Sequence, residues 1–203
     1  MERYIAIVDY GVGNLKSVTN AFAYLGEKTL VTKDAKELEL ADAVILPGVG
    51  AFPDAADKLR SSGLVEPLLE QGKTKPVLGI CLGMQLMLEQ GQEVRPCNGL
   101  GVVKGTVDRI PTSLKLPHIG WNSLEFHNDS PLFRGLENGV SVYFVHSFSA
   151  QNTDPEQVIA LTDYGVPVTA AVQNGNFFGC QFHPEKSGET GLAILRNFAA
   201  LNR

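Results

Sequence analysis

Cys81 stands in the run Gly79-Ile-Cys-Leu-Gly83, with a glycine two residues away on each side. That is the spacing of a nucleophile elbow, a strained strand-to-helix turn that exposes its central residue. The stretch from Lys75 to Gln85 predicts a short buried strand, a tight turn at Cys81 and a helix from Gly83 to about Gln90. A thiol at a helix start faces unpaired backbone N–H groups and the positive end of the helix dipole, which favour the thiolate. Taken alone, the run also fits a βα turn around a buried structural cysteine, so a partner base has to decide.

Phe182-His-Pro-Glu185 offers that base. In an extended segment residues two apart share a face, so His183 and Glu185 point the same way, with Pro184 stiffening the backbone between them. A carboxylate on one ring nitrogen fixes the tautomer and stabilises the imidazolium that forms when the other nitrogen takes a thiol proton. Cys81, His183 and Glu185 thus make a Cys-His-Glu triad, whereas a lone histidine at a strand end would be structural. His118, His127 and His146 have no such carboxylate nearby in sequence. Cys180, mid-strand, and Cys97, in a loop, are expected to be structural.

These residues need a scaffold. Tyr4 to Val8 is an apolar run ending in Asp9-Tyr-Gly-Val-Gly-Asn14, a buried strand followed by a glycine-rich turn and a capping asparagine. Leu15, Val18, Phe22 and Leu25 then recur at helical spacing up to Gly26. The turn lacks the third glycine of a dinucleotide fingerprint and the Lys-Ser/Thr of a phosphate loop, so no nucleotide site is expected. Lys28 to Thr32 and Ala43 to Leu46 predict further strands, the latter breaking at Pro47-Gly-Val-Gly-Ala-Phe-Pro53 before a helix to Ser62. Such a loop can bring backbone N–H groups to a ligand, which makes it a candidate oxyanion donor or an ordinary turn. Strand and helix alternating in this way indicate a parallel sheet that binds ligands at the carboxyl ends of its strands.

Beyond Gly99 the pattern changes to short strands, at Gly101 to Gly105, Trp121 to Phe126, Val140 to His146, Val158 to Asp163 and Thr169 to Phe182, with a hairpin signal at Asn174-Gly175. An amphipathic helix from Glu189 to Leu201 closes the chain. Neither a repeat nor a linker marks a boundary, so residues 1–203 are expected to form one domain.

Composition narrows the classes. With 44% hydrophobic residues the chain can bury a full core, and 17 basic against 22 acidic residues, none in long blocks, give a net charge of −5 and no sign of nucleic-acid binding. Three cysteines without C-x-x-C spacing argue against a disulfide framework or a zinc site and point to a reducing compartment. The N-terminus enters a strand pattern directly, and no apolar run approaches the roughly 18 residues needed to span a bilayer, so a cytoplasmic protein without membrane association is expected.

The elbow, continued to Gln85, and the His-Pro-Glu segment resemble the class I glutamine amidotransferases. The chain is most similar to the branch that forms the glutaminase subunit of imidazole glycerol phosphate synthases in histidine biosynthesis. The resemblance is carried by Asp9–Asn14, Leu46–Phe52, Gly79–Gln85, Pro117–Asn122, Tyr143–Ser147 and Gln181–Ser187, in that order. It implies an α/β, flavodoxin-like fold, with a central mostly parallel sheet flanked by helices and additional antiparallel strands in the C-terminal half. It also implies that Cys81 attacks the glutamine side-chain amide, His183 protonates the departing ammonia, Glu185 orients His183, and water releases glutamate from a thioester. The oxyanion would be held by the N–H of Leu82 and one from the loop of Gly48, Val49 and Gly50, a loop that in the family changes conformation when the partner binds its substrate. Glutamine would be held by Gln85, by backbone at Gly48 and Gly50, and by Ser147 and Phe148. Gln85 has the alternative of capping its own turn.

No second catalytic region is present, so the acceptor chemistry is expected to belong to another subunit; the resemblance implies that this partner is a (β/α)₈ barrel synthase, which receives the ammonia through a tunnel in a heterodimer. No cofactor or metal is expected. Asn14, Trp121 and Lys186 are candidates for the docking face, with a helix cap, a core position and a solvated charge as their respective alternatives. Competing readings are a glutaminase subunit for another synthase, such as anthranilate or aminodeoxychorismate synthase, a noncatalytic α/β binding subunit, and a cysteine hydrolase built on the same elbow.

Overall fold

The computed structural model describes residues 3–201, so the outermost positions of the 1–203 span lie outside the described residues. The first half alternates strands and helices: β1 (Ile5–Val8), α1 (Leu15–Tyr24), β2 (Thr29–Thr32), α2 (Ala35–Leu40), β3 (Ala43–Gly48), α3 (Phe52–Ser61), α4 (Val65–Gly72), β4 (Val77–Cys81) and α5 (Leu82–Leu86). The second half is mostly strands: β5 (Gln90–Gly91), β6 (Cys97–Asn98), β7 (Thr106–Arg109), β8 (His118–Ser123), β9 (Glu125–Phe126), β10 (Ser141–His146), β11 (Phe148–Gln151), β12 (Val158–Asp163), β13 (Pro167–Asn174) and β14 (Phe177–Cys180), before α6 (Gly188–Ala200).

One eight-stranded sheet organises them, in the order β2-β1-β3-β4-β14-β13-β12-β9. Its pairs from β2 through β14 are parallel and those from β14 to β9 are antiparallel. β1, β3 and β4 are buried along their whole length, as a parallel sheet covered on both faces requires. Alternate residues serve opposite layers. Ile5, Ile7, Ile45 and Ile80 pack with Val18 and Phe22 of α1 and Ile194 and Phe198 of α6. Ala6, Val8, Val44 and Leu46 pack with Leu38, Leu59 and Leu68 on the other face. A ribbon of β8 with β10 and a small sheet in the order β11-β7-β5-β6 stand beside this sandwich.

Several expectations need correcting. The helix after Cys81 stops at Leu86 instead of about Gln90. The segment expected as a strand at Gly101 to Gly105 explains why: Leu100, Gly101 and Val103 donate their N–H groups to the carbonyls of Leu86, Leu88 and Met87. Those carbonyls are thereby satisfied without further helix, and the donating segment runs as turns instead of joining a sheet. The strand expected over Trp121 to Phe126 is two, β8 pairing with β10 and β9 with β12, with buried Leu124 at the switch. Helices α2 and α4 were not expected, although Asp34 caps α2 through Lys36 N at 2.8 Å. Cys97 lies on β6 and Cys180 ends β14.

Candidate active site

Register brings the site together. The β3–β4 pairing sets Gly48 opposite Cys81, so the glycine loop leaves its strand beside the elbow. β14 runs parallel to β4 with Cys180 opposite Ile80, so Gln181, Phe182 and His183 emerge past the same edge. Cys81 has φ 54° and ψ −111°, a strained conformation for a side chain with a Cβ, and ends β4 directly before α5. The elbow closes because its flanking glycines leave room. A Cβ on Gly83 would lie 1.8 Å from the Leu46 carbonyl oxygen, and one on Gly79 would lie 2.6 Å from Met84 N. Tyr10, which the sequence did not single out, donates its hydroxyl to the Pro47 carbonyl at 2.7 Å beneath the loop. Burial, with the nearby Cys81 charge, pushes its phenol up, so it remains a neutral donor.

His183 and Glu185 meet by a route other than the one expected. The segment is a 3₁₀ turn over Pro184–Lys186 instead of an extended one, closed by Lys186 N and Ser187 N donating to the carbonyls of His183 and Pro184. The turn folds Glu185 back so that Oε1 accepts from His183 Nδ1 at 2.8 Å. Cys81, on the wall of the same cavity, is close enough to act on the ring as well. The His183 backbone is fixed by its N–H to the Tyr143 carbonyl at 2.9 Å and by Ser187 Oγ donating to its carbonyl at 2.6 Å. Burial pulls the His183 imidazolium down, but the bonds to Cys81 and Glu185 and the charges of both outweigh it and push the group up to about 9. Cys180 is no rival nucleophile, since complete burial and the Glu185 charge push its thiol up.

A cavity of about 440 Å³ opens on this edge. Val49, Gly50, Cys81 and Leu82 line it together with Gln85, Ser147, Phe148, His183 and Lys186. Gly48 lies behind this wall, buried against the elbow, and Gly50 has φ 98°. Leu82 opens α5, so its N–H is among those without an intrahelical acceptor. Gln85 does not cap its own turn: Nε2 donates to the Phe148 carbonyl and to Gln181 Oε1, each at 2.9 Å.

Glu93, Pro117, Val145 and His146 also line the cavity, and none of them was expected as a site residue. For Glu93 the signal lies outside any local pattern, because its Oε2 accepts from Phe52 N, 41 residues away, at 2.8 Å. Of the docking candidates, Asn14 is the cap of α1, accepting from Ser17 N at 3.3 Å. Trp121 is 59% exposed, which removes the core alternative, and Lys186 reaches the cavity wall.

Among the described residues no group of three or more His, Cys, Asp or Glu side chains is placed to hold a metal ion, and no helix is long and apolar enough to cross a membrane. A thiol against an imidazole that is held by a buried carboxylate, with unpaired N–H groups opposite, can attack an acyl carbon and protonate an amine leaving group.

Comparison with known proteins agrees with this chemistry. The sequence profile of the family "Glutamine amidotransferase class-I" matches residues 6–201. A protein of Caldanaerobacter subterraneus subsp. tengcongensis, named imidazole glycerol phosphate synthase subunit HisH, is 48% identical over 97% of this chain and 98% of its own. One of the same name from Bacillus cereus is 51% identical over 96% of this chain and 93% of its own. Among solved structures, a glutamine amidotransferase superposes with TM-score 0.76 at 20% identity over 97% and 98% of the two chains. PurLQS from Thermotoga maritima gives 0.75 at 22% identity over 98% of each. At those identities the structural likeness speaks for the fold.

Proposed function

The chain belongs to the class I glutamine amidotransferases, and from that membership we propose that it is the glutaminase subunit of an imidazole glycerol phosphate synthase. The observation that carries the reading is the line of Glu185, His183 and Cys81 at the wall of a cavity bounded by the Gly48–Gly50 loop.

Glutamine enters with its side-chain amide against Cys81. The sulfur forms a bond to the amide carbon, and the oxyanion is held by the N–H groups of Leu82 and of Val49 or Gly50; losing one such donor typically costs about 10²–10³ in turnover. The C–N bond breaks as His183 gives its proton to the leaving ammonia, and Glu185 keeps the ring in the required tautomer. Water, deprotonated by the now neutral His183, attacks the thioester, and glutamate leaves with the thiol restored. Gln85, the backbone at Gly48 and Gly50, and the Ser147–Phe148 segment hold the substrate. Glu93 supplies a carboxylate on the cavity wall that suits the α-ammonium of an amino acid.

The ammonia passes to a (β/α)₈ barrel partner that makes imidazole glycerol phosphate and aminoimidazole carboxamide ribotide in histidine biosynthesis. Asn14, Trp121 and Lys186 belong to the face that meets it. The chain acts as one domain in the cytoplasm.

Glutamate release from glutamine is the direct test, for wild type and Cys81→Ala, each alone and with the barrel synthase carrying a ligand of its nucleotide site. Wild type is expected to turn over only with the liganded partner, and Cys81→Ala to be inactive throughout. Equal activity of the two proteins would remove the triad.

A further inference from the structure

The Phe148 carbonyl is a junction of hydrogen bonds on the cavity wall. It accepts from Gln85 Nε2 and from His146 Nδ1, each at 2.9 Å. A carbonyl only accepts, so His146 carries its proton on Nδ1. Burial, joined by the charges of His118 and His183, outweighs the bond to Phe148 and lowers His146 to about 4, leaving a neutral ring whose Nε2 is an acceptor. His118 Nδ1 lies 3.0 Å from that Nε2 and therefore donates to it. Burial lowers His118 as well, and its Nε2 accepts from Asn122 Nδ2 at 3.2 Å. Asn122 is turned this way round because the same Nδ2 donates to the Asp163 carbonyl at 2.7 Å.

Beyond the junction the logic continues toward the sulfur. Gln85 spends Nε2 on Phe148 and also on Gln181 Oε1. Gln181, wholly buried, is thereby turned with its Nε2 toward Cys81 Sγ at 3.7 Å. One assignment of tautomers and amide orientations satisfies every link.

We propose that this chain of bonds is a relay from the β8–β10 ribbon that aims the Gln181 amide at the Cys81 sulfur, with His118 as a positioning residue that touches neither nucleophile nor substrate. An N–H directed at sulfur stabilises its charged form. The ribbon end of the relay lies beside Trp121, so movement of the ribbon is felt at the nucleophile. When the His118 donor is lost, the buried His146 Nε2 is left an acceptor without its partner, and the ring is no longer held square to the Phe148 oxygen. That loosens the carbonyl and, through it, Gln85 and Gln181. Only the rate consequence rests on the glutaminase reading, since the tautomers are a property of the fold.

His118 stacks on Phe144 and Tyr164 with ring centroids 4.6 and 4.0 Å away, so His118→Phe keeps the packing and removes the donor. Nitrogen-15 spectra of histidine-labelled protein at pH 7 are expected to show His118 and His146 neutral and protonated on Nδ1. Either ring as the Nε2–H form or as imidazolium overturns the relay.

In the complex with the synthase partner, kcat for glutamate release by His118→Phe is expected to fall about tenfold, the equivalent of one hydrogen bond, with KM for glutamine within about twofold. His118→Asn restores most of the rate, because Asn Nδ2 stands where Nδ1 stood. A folded His118→Phe protein with wild-type kcat overturns the proposal. Should His118→Phe not fold, Gln181→Met reads the far end, and wild-type kcat there overturns it equally. A wild-type complex that releases no glutamate would sink the glutaminase reading, while the spectra would still judge the relay.

Discussion

His183 is held between a sulfur and a carboxylate where little water reaches, and that placement decides its charge. Burial alone would keep the ring neutral, yet its two partners push it up to about 9, so at neutral pH it is an imidazolium ready to protonate a leaving amine. On the proposed mechanism kcat/KM falls as pH rises through about 9 and this proton is lost. Glu185→Gln removes one of the two supports, so the alkaline fall moves to lower pH and activity at neutral pH drops about 10²-fold. The same shift bears on folding. The folded value lies above the ordinary 6.5, so the stability the imidazolium contributes is complete below about 6.5 and is lost as pH rises through about 9. Urea midpoints at pH 6 and pH 9.5 are expected to differ in wild type and to differ less in Glu185→Gln. A pH–rate profile of Glu185→Gln that overlays wild type would mean that Glu185 does not set the charge of His183.

Elements position the elbow by closeness of backbone, and two glycines at its margins separate closeness from conformation. Gly83 is in α5 where a Cβ would meet the Leu46 carbonyl, which is backbone and cannot rotate away. Gly83→Ala is therefore expected to lower stability by about 3 kcal/mol or to abolish folding, seen as a lower urea midpoint. Gly50 has no atom within 4 Å of such a Cβ, yet its φ is 98°. Gly50→Ala should cost only about 1–2 kcal/mol while disturbing the loop that faces the sulfur. Equal stability losses in the two variants would show that overlap with the Leu46 carbonyl is not the governing constraint.

This contrast marks what local sequence could convey. The glycine spacing around Cys81, the buried runs of β1 and β3 and the Asn174-Gly175 hairpin are local signals, and the strands and elbow they predict are present. The end of α5 was missed because its carbonyls are taken by Leu100 to Val103, and the bond between Gln85 and Gln181 spans 96 residues. The glycine spacing in one strand cannot announce such partners. Their pairing follows from β14 lying beside β4, a topology that the alternating first half does not reveal by itself.

In the folded chain the ribbon of β8 and β10 borders the cavity, with Val145 and His146 of β10 in its wall. Ile119 and Trp121 on β8 are 58% and 59% exposed, an unusual use of large apolar side chains on a surface ribbon. Trp121 packs edge-to-face on Tyr143, with ring centroids 6.1 Å apart, and Tyr143 in turn accepts the His183 N–H through its carbonyl. A Cβ on Gly188 would lie 3.8 Å from the Trp121 ring, which sets the indole within two residues of Lys186 on the cavity wall. A partner covering the indole would thus press on the turn that carries the triad histidine and glutamate. Because Trp121 is exposed in the free chain, Trp121→Ala should change folding stability by less than about 1 kcal/mol. If the indole is an anchor for the synthase partner, the same substitution should weaken the complex about 30-fold, the effect of a central aromatic contact worth about 2 kcal/mol. Titration calorimetry with the purified synthase subunit measures this directly, and glutamate release at saturating partner shows whether the lost contact also silences the site. An unchanged dissociation constant would move the docking face away from the ribbon, and with it the idea that partner binding reaches Cys81 through β8.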